Sequence, residues 1–206
     1  MEGWHGTWFV VHRSMRIPML AVLLVFSTLA GCSAPGGARS ATVSAWACQQ
    51  GGEIRGPHFD RMLAACESVL NAVDQDGMAI RLHVIASDAA TAYAWPSGDI
   101  YLSRGLVDLL SDDEIAAAVA HELGHLVGDG HLSSPATLDG SQGETGHALS
   151  GDEEHRADLV GCRILACCHV QPDAMARLLR KVHDAQPAKS AIRPLIRQRL
   201  DALAVR

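Results

Sequence analysis

Two histidines and a glutamate stand at a spacing that suits metal chemistry. In His121-Glu122-Leu123-Gly124-His125 the histidines are four residues apart, so on a helix both imidazoles leave the same face and can point at one ion. Glu122 is one residue further round and cannot ligate beside them, yet it can reach a water held by that ion. Two ligands plus a general base is the equipment for hydrolysis by a metal-activated water. Accident is a poor account of the pattern. With 11 His and 8 Glu in 206 residues, independent placement produces it about 2% of the time.

A hydrolytic metal site needs a third protein ligand and keeps one position open. Glu153-Glu154-His155-Arg156-Ala157-Asp158 offers the ligand from a separate helix. Glu154 and Asp158 share a helical face, so one can ligate while the other accepts the distal N–H of a metal-bound histidine and fixes its tautomer. We assign the ligand to Glu154 and the support to Asp158. Acidic residues near a helix start are also ordinary dipole partners, so this pair takes its meaning from the rest of the chain.

The elements that must position these groups can be read from periodicity. Phe59, Met62, Leu63, Cys66, Val69, Leu70 and Val73 form one stripe of a helix opening at Pro57. Ile80 to Ile85 suggests a strand. Thr91–Trp95 and Ile100–Ser103 suggest two more, about the turn Pro96-Ser97-Gly98-Asp99. Ser111-Asp112-Asp113-Glu114 has the capping-box form and opens the helix that carries the histidines. Residues 128–151 are rich in Gly and Ser and read as a loop. Helices are expected over Glu153–His169, from Pro172 through Val182, and from about Ser190 to Val205. Few strands clustered before the central helix give an α+β fold, mostly helical, with a small β-hairpin or sheet beside that helix.

Composition sets the outer bounds. Hydrophobic residues are 48% and charged residues 19% of the chain, enough for a packed core. The net charge is -6 with 17 Lys+Arg, which argues against nucleic acid as a partner. Ile17 to Ala30 is apolar, follows Arg13 and Arg16, and ends in Leu29-Ala30-Gly31-Cys32. This suits the h-region of a secretory signal, and the small residues before Cys32 resemble a bacterial lipobox. Met15 is an alternative start for that signal. The expected organisation is a lipoprotein signal peptide over 1–31, a flexible Gly/Ala/Ser-rich tether over 32–56 from a lipidated Cys32, and a catalytic domain over 57–206. Ser33 after the cysteine is typical of an outer-membrane destination, so the expected location is the periplasmic face of a bacterial membrane, held by lipid. Cys48, Cys66, Cys162, Cys167 and Cys168 are an odd set whose pairing the spacing leaves open.

Several stretches in order resemble the HtpX and CAAX-prenyl-protease family of zinc metallopeptidases, in the gluzincin group. They are Ala92 through Leu106 with its Pro-Gly turn, Asp113 through His125, Glu154 through Gly161, and Pro172-Asp173-Ala174-Met175 leading into Leu178-Leu179. The resemblance implies one zinc ion on His121, His125 and Glu154, with Glu122 as base and Asp158 behind a ligand. It also implies an extended polypeptide substrate aligned by the hairpin strand. Relatives carry a His-Pro followed by an Arg near the end; here Arg193-Pro194-Leu195 leads to Arg199. On that alignment Arg193 replaces the histidine and becomes a candidate oxyanion stabiliser. The function expected is a zinc metalloendopeptidase acting on envelope proteins, misfolded ones among them. The competing readings are a zinc-binding lipoprotein that holds clients, and a metal hydrolase of cell-wall amides.

Overall fold

The computed structural model describes residues 6–7, 41–73, 79–128 and 151–204. In chain order these form β1 (Gly6–Thr7), α1 (Ala41–Gln49), β2 (Glu53–Ile54), α2 (Pro57–Val73), β3 (Arg81–Ile85), β4 (Ala92–Ala94), β5 (Asp99–Ser103), α3 (Arg104–Leu109), α4 (Asp112–Gly128), α5 (Gly151–Cys167), α6 (Ala174–Ala185) and α7 (Ile192–Ala204). The fold is α+β and mostly helical, as the periodicity indicates. The signal segment, Cys32 and residues 129–150 of the expected loop lie outside the described residues. Among the described residues no helix is long and apolar enough to cross a membrane.

The strands form one mixed sheet in the order β1-β4-β5-β3-β2. β3 and β5 run parallel, with Leu82 opposite Ile100 and Val84 opposite Leu102, and the remaining pairs are antiparallel. The turn between β4 and β5 closes at Gly98, whose φ is +83°. A Cβ there would lie 2.4 Å from the Ala79 carbonyl oxygen, so both conformation and space demand glycine.

Alternation along the strands separates two cores. Leu82, Val84, Ile100 and Leu102 face the helices and join Met62, Cys66, Val69, Ile115, Val119, Leu178 and Leu179 in the main core. Ile85 and Tyr101 face the other way and are covered by Val43 and Ala47 of α1, with Trp46 packed alongside. The expected tether over 32–56 is therefore corrected: its second half is a helix and a sheet strand. Val43, Trp46 and Ala47 stand at i, i+3 and i+4, and their stripe closes the outer face of the sheet. Two smaller departures have local causes. Ser103 accepts a hydrogen bond from the Leu106 amide at 3.1 Å and starts the short α3. Pro172 lies before the first turn of α6 rather than within it, because Asp173 is the N-cap.

α4 is the most enclosed helix. The Ser111 amide donates to Glu114 Oε2 at 2.7 Å, so the glutamate half of the capping box forms as read. Glu114 is then held from α6 by Lys181 at 2.6 Å and Arg177 at 3.6 Å. Packing of α4 on α5 requires two glycines. A Cβ on Gly124 would meet the Ala157 carbonyl oxygen at 2.4 Å, and one on Gly161 would meet Met175 Cε at 2.8 Å and the His121 amide nitrogen at 3.1 Å. Neither clash involving backbone can be relieved by turning a rotamer. Gly124→Ala is expected to separate the helices at the cost of about 3 kcal/mol, read as a lower denaturation midpoint together with weakened metal uptake.

Candidate metal centre

α4 supplies His121, Glu122 and His125, all buried, and α5 supplies Glu154 and Asp158, also buried. The two imidazoles stand edge to face, with ring centroids 4.6 Å apart and planes at 80°. Their Nε2 atoms are 2.9 Å apart. Glu154 Oε2 lies 3.7 Å from His121 Nε2, and Oε1 lies 3.6 Å from His125 Nε2. An ion with tetrahedral bonds of about 2.0–2.1 Å separates its ligands by roughly 3.3 Å, so these three donors already outline one face of such a shell. His121, His125 and Glu154 are the group among the described residues whose ligand atoms come together closely enough to hold a metal ion.

The surroundings fit a metal as well. His121 Nδ1 lies 2.8 Å from Asp158 Oδ1. Donation of the Nδ1 proton to that carboxylate turns the Nε2 lone pair toward Glu154 and His125. Both carboxylate oxygens of Glu122 are buried, with no hydrogen-bond partner among the described residues. An acid buried without partners is expensive, and a polarised water beside a cation is the partner its position suits.

Behind the carboxylates sits a residue that the sequence reading gave no role. Arg199 of α7 is buried; its Nε donates to Asp158 Oδ2 at 2.7 Å, its Nη2 to Asp158 Oδ1 at 2.6 Å, and its Nη1 to Glu154 Oε2 at 2.6 Å. One guanidinium thus holds both buried acids of α5, Glu154 and Asp158, in a forked arrangement that lysine cannot reproduce. Arg193, the expected oxyanion stabiliser, is not brought to the cluster. Its Nη1 donates to the Gln186 carbonyl at 2.8 Å and its Nη2 approaches His183 Nδ1 at 3.5 Å. Helical geometry explains the exchange. Six residues advance a helix by about 600°, which sets Arg193 and Arg199 roughly 120° apart, whereas Ile196, three before Arg199, shares its buried face. The signal available in the sequence was that spacing from the core-facing Ile196.

Burial dominates the electrostatics. It holds His121 well below the ordinary histidine range, helped by His125 and by the positive charge of Arg199. It brings His125 down to about 3, again with help from Arg199. It raises Glu154 to about 7, against the opposing pull of Arg199, and raises Asp158 in the same way. Burial and the charge of Glu154 together push Glu122 well above the carboxylate range. Tyr93 of β4 feels the same carboxylate: burial raises its phenol, a hydrogen bond with Thr91 opposes the rise, and the charge of Glu122 adds to it. Burial pushes the Cys66 thiol up to about 12.

The model of peptidase family M48 matches residues 60–142, a stretch that includes the β4–β5 hairpin and all of α4. No curated protein matches the chain. The matched stretch contains His121, Glu122 and His125. Glu154, Asp158 and Arg199 lie beyond it, and it is the structure that brings them to the same point.

Two outcomes follow from this geometry. Arg199→Leu leaves two acids buried without their cation and is expected to destabilise the metal-free protein by about 3–5 kcal/mol, with part of the loss recovered by saturating metal; paired denaturation curves with and without metal check this. The second concerns pH. The metal-free site carries its protons on carboxyls rather than imidazoles, so metal uptake must displace the Glu154 proton below about pH 7. Affinity should fall about tenfold per pH unit for each carboxyl proton displaced. The His125 imidazole adds its own steepness only near pH 3, because its neutral form is favoured down to there. Competitive metal titrations from pH 7.5 to 4 read that profile.

Proposed function

We propose that this chain, whose residues 60–142 match the model of peptidase family M48, is a zinc-dependent endopeptidase that hydrolyses extended polypeptides. The observation that carries the reading is the placement of Glu122: a buried, unpartnered carboxylate adjoining three convergent metal donors. A site that only held a metal for stability would have no use for a base at that cost. The donor set of two imidazoles and one carboxylate is that of hydrolytic zinc rather than of the closed, thiolate-rich sites that stabilise folds. A divalent ion there supplies Lewis acidity, polarising the scissile carbonyl and acidifying a water.

The residues of the chain divide the remaining work. His121 and His125 would hold the ion through neutral nitrogens, and burial favours that neutral form. Glu154 completes the protein ligands, held against drift by Arg199. Asp158 fixes the His121 tautomer. Glu122 takes the proton of the attacking water and returns it to the leaving amine as the C–N bond breaks. Polypeptide is favoured over a cell-wall amide because β4, which packs beside α4, pairs on its outer side with the extended backbone of Gly6–Thr7, a mode of binding suited to an extended chain.

The reading extends to location. The order of basic residues, apolar run and Leu29-Ala30-Gly31-Cys32 supports export and lipidation at Cys32. Such an anchor holds the enzyme on the periplasmic face of a bacterial membrane, the outer membrane by the following Ser33, where envelope proteins are the available substrates.

Glu122→Gln is the decisive variant. It should retain stoichiometric zinc and fold normally while kcat on an unfolded protein such as casein falls by about two to four orders of magnitude. Undiminished proteolysis would refute the reading. Release of labelled lipid-modified protein, abolished by Cys32→Ser, checks the anchor.

A further inference from the structure

β4 is paired on both sides. On one side it meets β5, and on the other β1, antiparallel, with Gly6 opposite Ala94 and Thr7 opposite Tyr93. Backbone direction shows which groups meet there. The Trp95 amide donates to the Asp99 carbonyl at 2.9 Å, and the Thr91 carbonyl accepts from the Ser103 amide at 2.9 Å. Thr91 and Trp95 therefore turn their backbone groups to β5. Alternation along the strand turns those of Ala92 and Ala94 to the outer side. Gly6 thus faces Ala94 at a position where two antiparallel residues exchange both hydrogen bonds, and the Thr7 N–H points away from β4.

β1 differs from the other strands in its place in the chain. β2 to β5 all follow Cys32, whereas Gly6–Thr7 precedes it and precedes the apolar run Ile17 to Ala30. Cleavage before Cys32 would remove β1 and leave intact every element that carries the metal centre. A strand needed for the architecture would not be taken from a segment that export discards. On the outer side of β4 this strand does what the peptidase reading asks of a substrate: it lies extended beside the strand that packs on α4. Its sequence suits the task, because Thr7 leads into Trp8-Phe9-Val10-Val11, all residue types favoured in strands. As part of the same chain it acts at an effective concentration on the order of 1 mM, well above that of a dilute polypeptide in solution.

We propose that Gly6–Thr7 is an internal occupant of the edge that aligns substrate: the leader that carries it holds the peptidase closed in the precursor, and cleavage before Cys32 opens it. The backbone groups of Ala94 cannot serve Gly6 and an incoming polypeptide together, so the two compete for one place. A precursor that folds before export is then unable to align the proteins around it, and activity begins where the leader is lost. A chain started at Met15 lacks the strand and is open from synthesis. The proposal rests on the peptidase reading for its consequence in turnover, but not for occupancy of the edge.

The test compares three forms of the full chain in detergent micelles with zinc present. The parent carries Cys32→Ser, which stops lipid transfer and cleavage and keeps the leader attached. The second adds Gly6→Pro, which removes the N–H that faces Ala94, and the third is the parent started at Met15. The probe is a fluorescein-labelled synthetic copy of residues 3–12, with empty micelles as the blank. Both altered forms should bind it about tenfold more tightly than the parent, as expected on loss of an intramolecular competitor, and their KM for casein should fall with kcat unchanged. Gains of this kind are not mimicked by a folding defect. Binding that is equal in all three forms, or absent from all, would overturn the proposal, as would tighter binding without a lower KM in forms that cut casein. Cys32-bearing protein recovered from membranes without its leader should match the two altered forms; if it binds the probe as weakly as the parent, release by cleavage is overturned. Tighter binding in both altered forms, with no cleavage of casein by any form, would overturn the peptidase reading and leave the occupied edge standing.

Discussion

The distance between two helices governs everything at this centre. His121 and His125 come from α4, Glu154 and Asp158 from α5, and their donors converge only because the backbones touch. Gly124 lies against the Ala157 carbonyl, and Gly161 lies against the His121 amide. A Cβ at position 124 would lie 2.4 Å from the Ala157 carbonyl oxygen and must push the backbones apart by about 1 Å, while a metal shell tolerates about a few tenths of an ångström. The small residues are therefore part of the site although neither bears a functional group. Rigid secondary structure carries the ligands, and the closeness of its approach sets their precision.

The second constraint is charge. Glu122, Glu154 and Asp158 are buried together with one buried cation, Arg199. When all three acids are ionised and the histidines neutral, the cluster carries two uncompensated negative charges in a medium that penalises even one. Two ways out exist. The metal-free protein keeps protons on carboxyls, which is the direction in which burial drives Glu122 and Glu154. A divalent cation instead brings the sum to zero and permits every acid to ionise. The site is thus written for a charge of +2, and Arg199 decides that number: without it the same donors would call for more positive charge than one such ion brings.

Much of this was legible in the sequence because helices announce themselves twice, through apolar periodicity and through their caps. α2, α4, α5 and α7 fall where those signals put them, and the imidazole pair follows from helical spacing alone. The misses share a different cause. α1 is nine residues long and sits in a stretch rich in Gly, Ala and Ser; its stripe of Val43, Trp46 and Ala47 becomes meaningful only once a sheet face exists for it to cover. Arg199 is misplaced for a related reason. Two arginines near the chain end look equivalent in sequence, and which one enters the interior depends on the rotation of α7 against α5. Local signals give the elements and the residues they carry in common; the pairing of a single charged side chain with partners 41 and 45 residues earlier is a tertiary fact.

The sheet shows why a metal helix of this kind benefits from a strand at its side. A peptide bond inside a helix or a packed sheet has its carbonyl hydrogen-bonded and its backbone shielded, so attack by a held water requires an extended segment whose backbone is otherwise unpaired. The outer side of β4, where Gly6–Thr7 pair antiparallel, is a place at which an extended backbone finds the hydrogen bonds it lacks. It also fixes which carbonyls face the helix, because alternation along a strand leaves no intermediate orientation. Ala92 and Ala94 are small on the face toward α4, and Tyr93 stands on the other face with Trp46 and Trp95. On this view the outer layer that α1 adds is not a mere cover: Trp46 stands edge-on to Tyr93 of β4 and to Tyr101 of β5 and steadies both strands. The segment between the N-terminal region and the catalytic fold is therefore tied mechanically to the edge of the sheet that faces the metal centre.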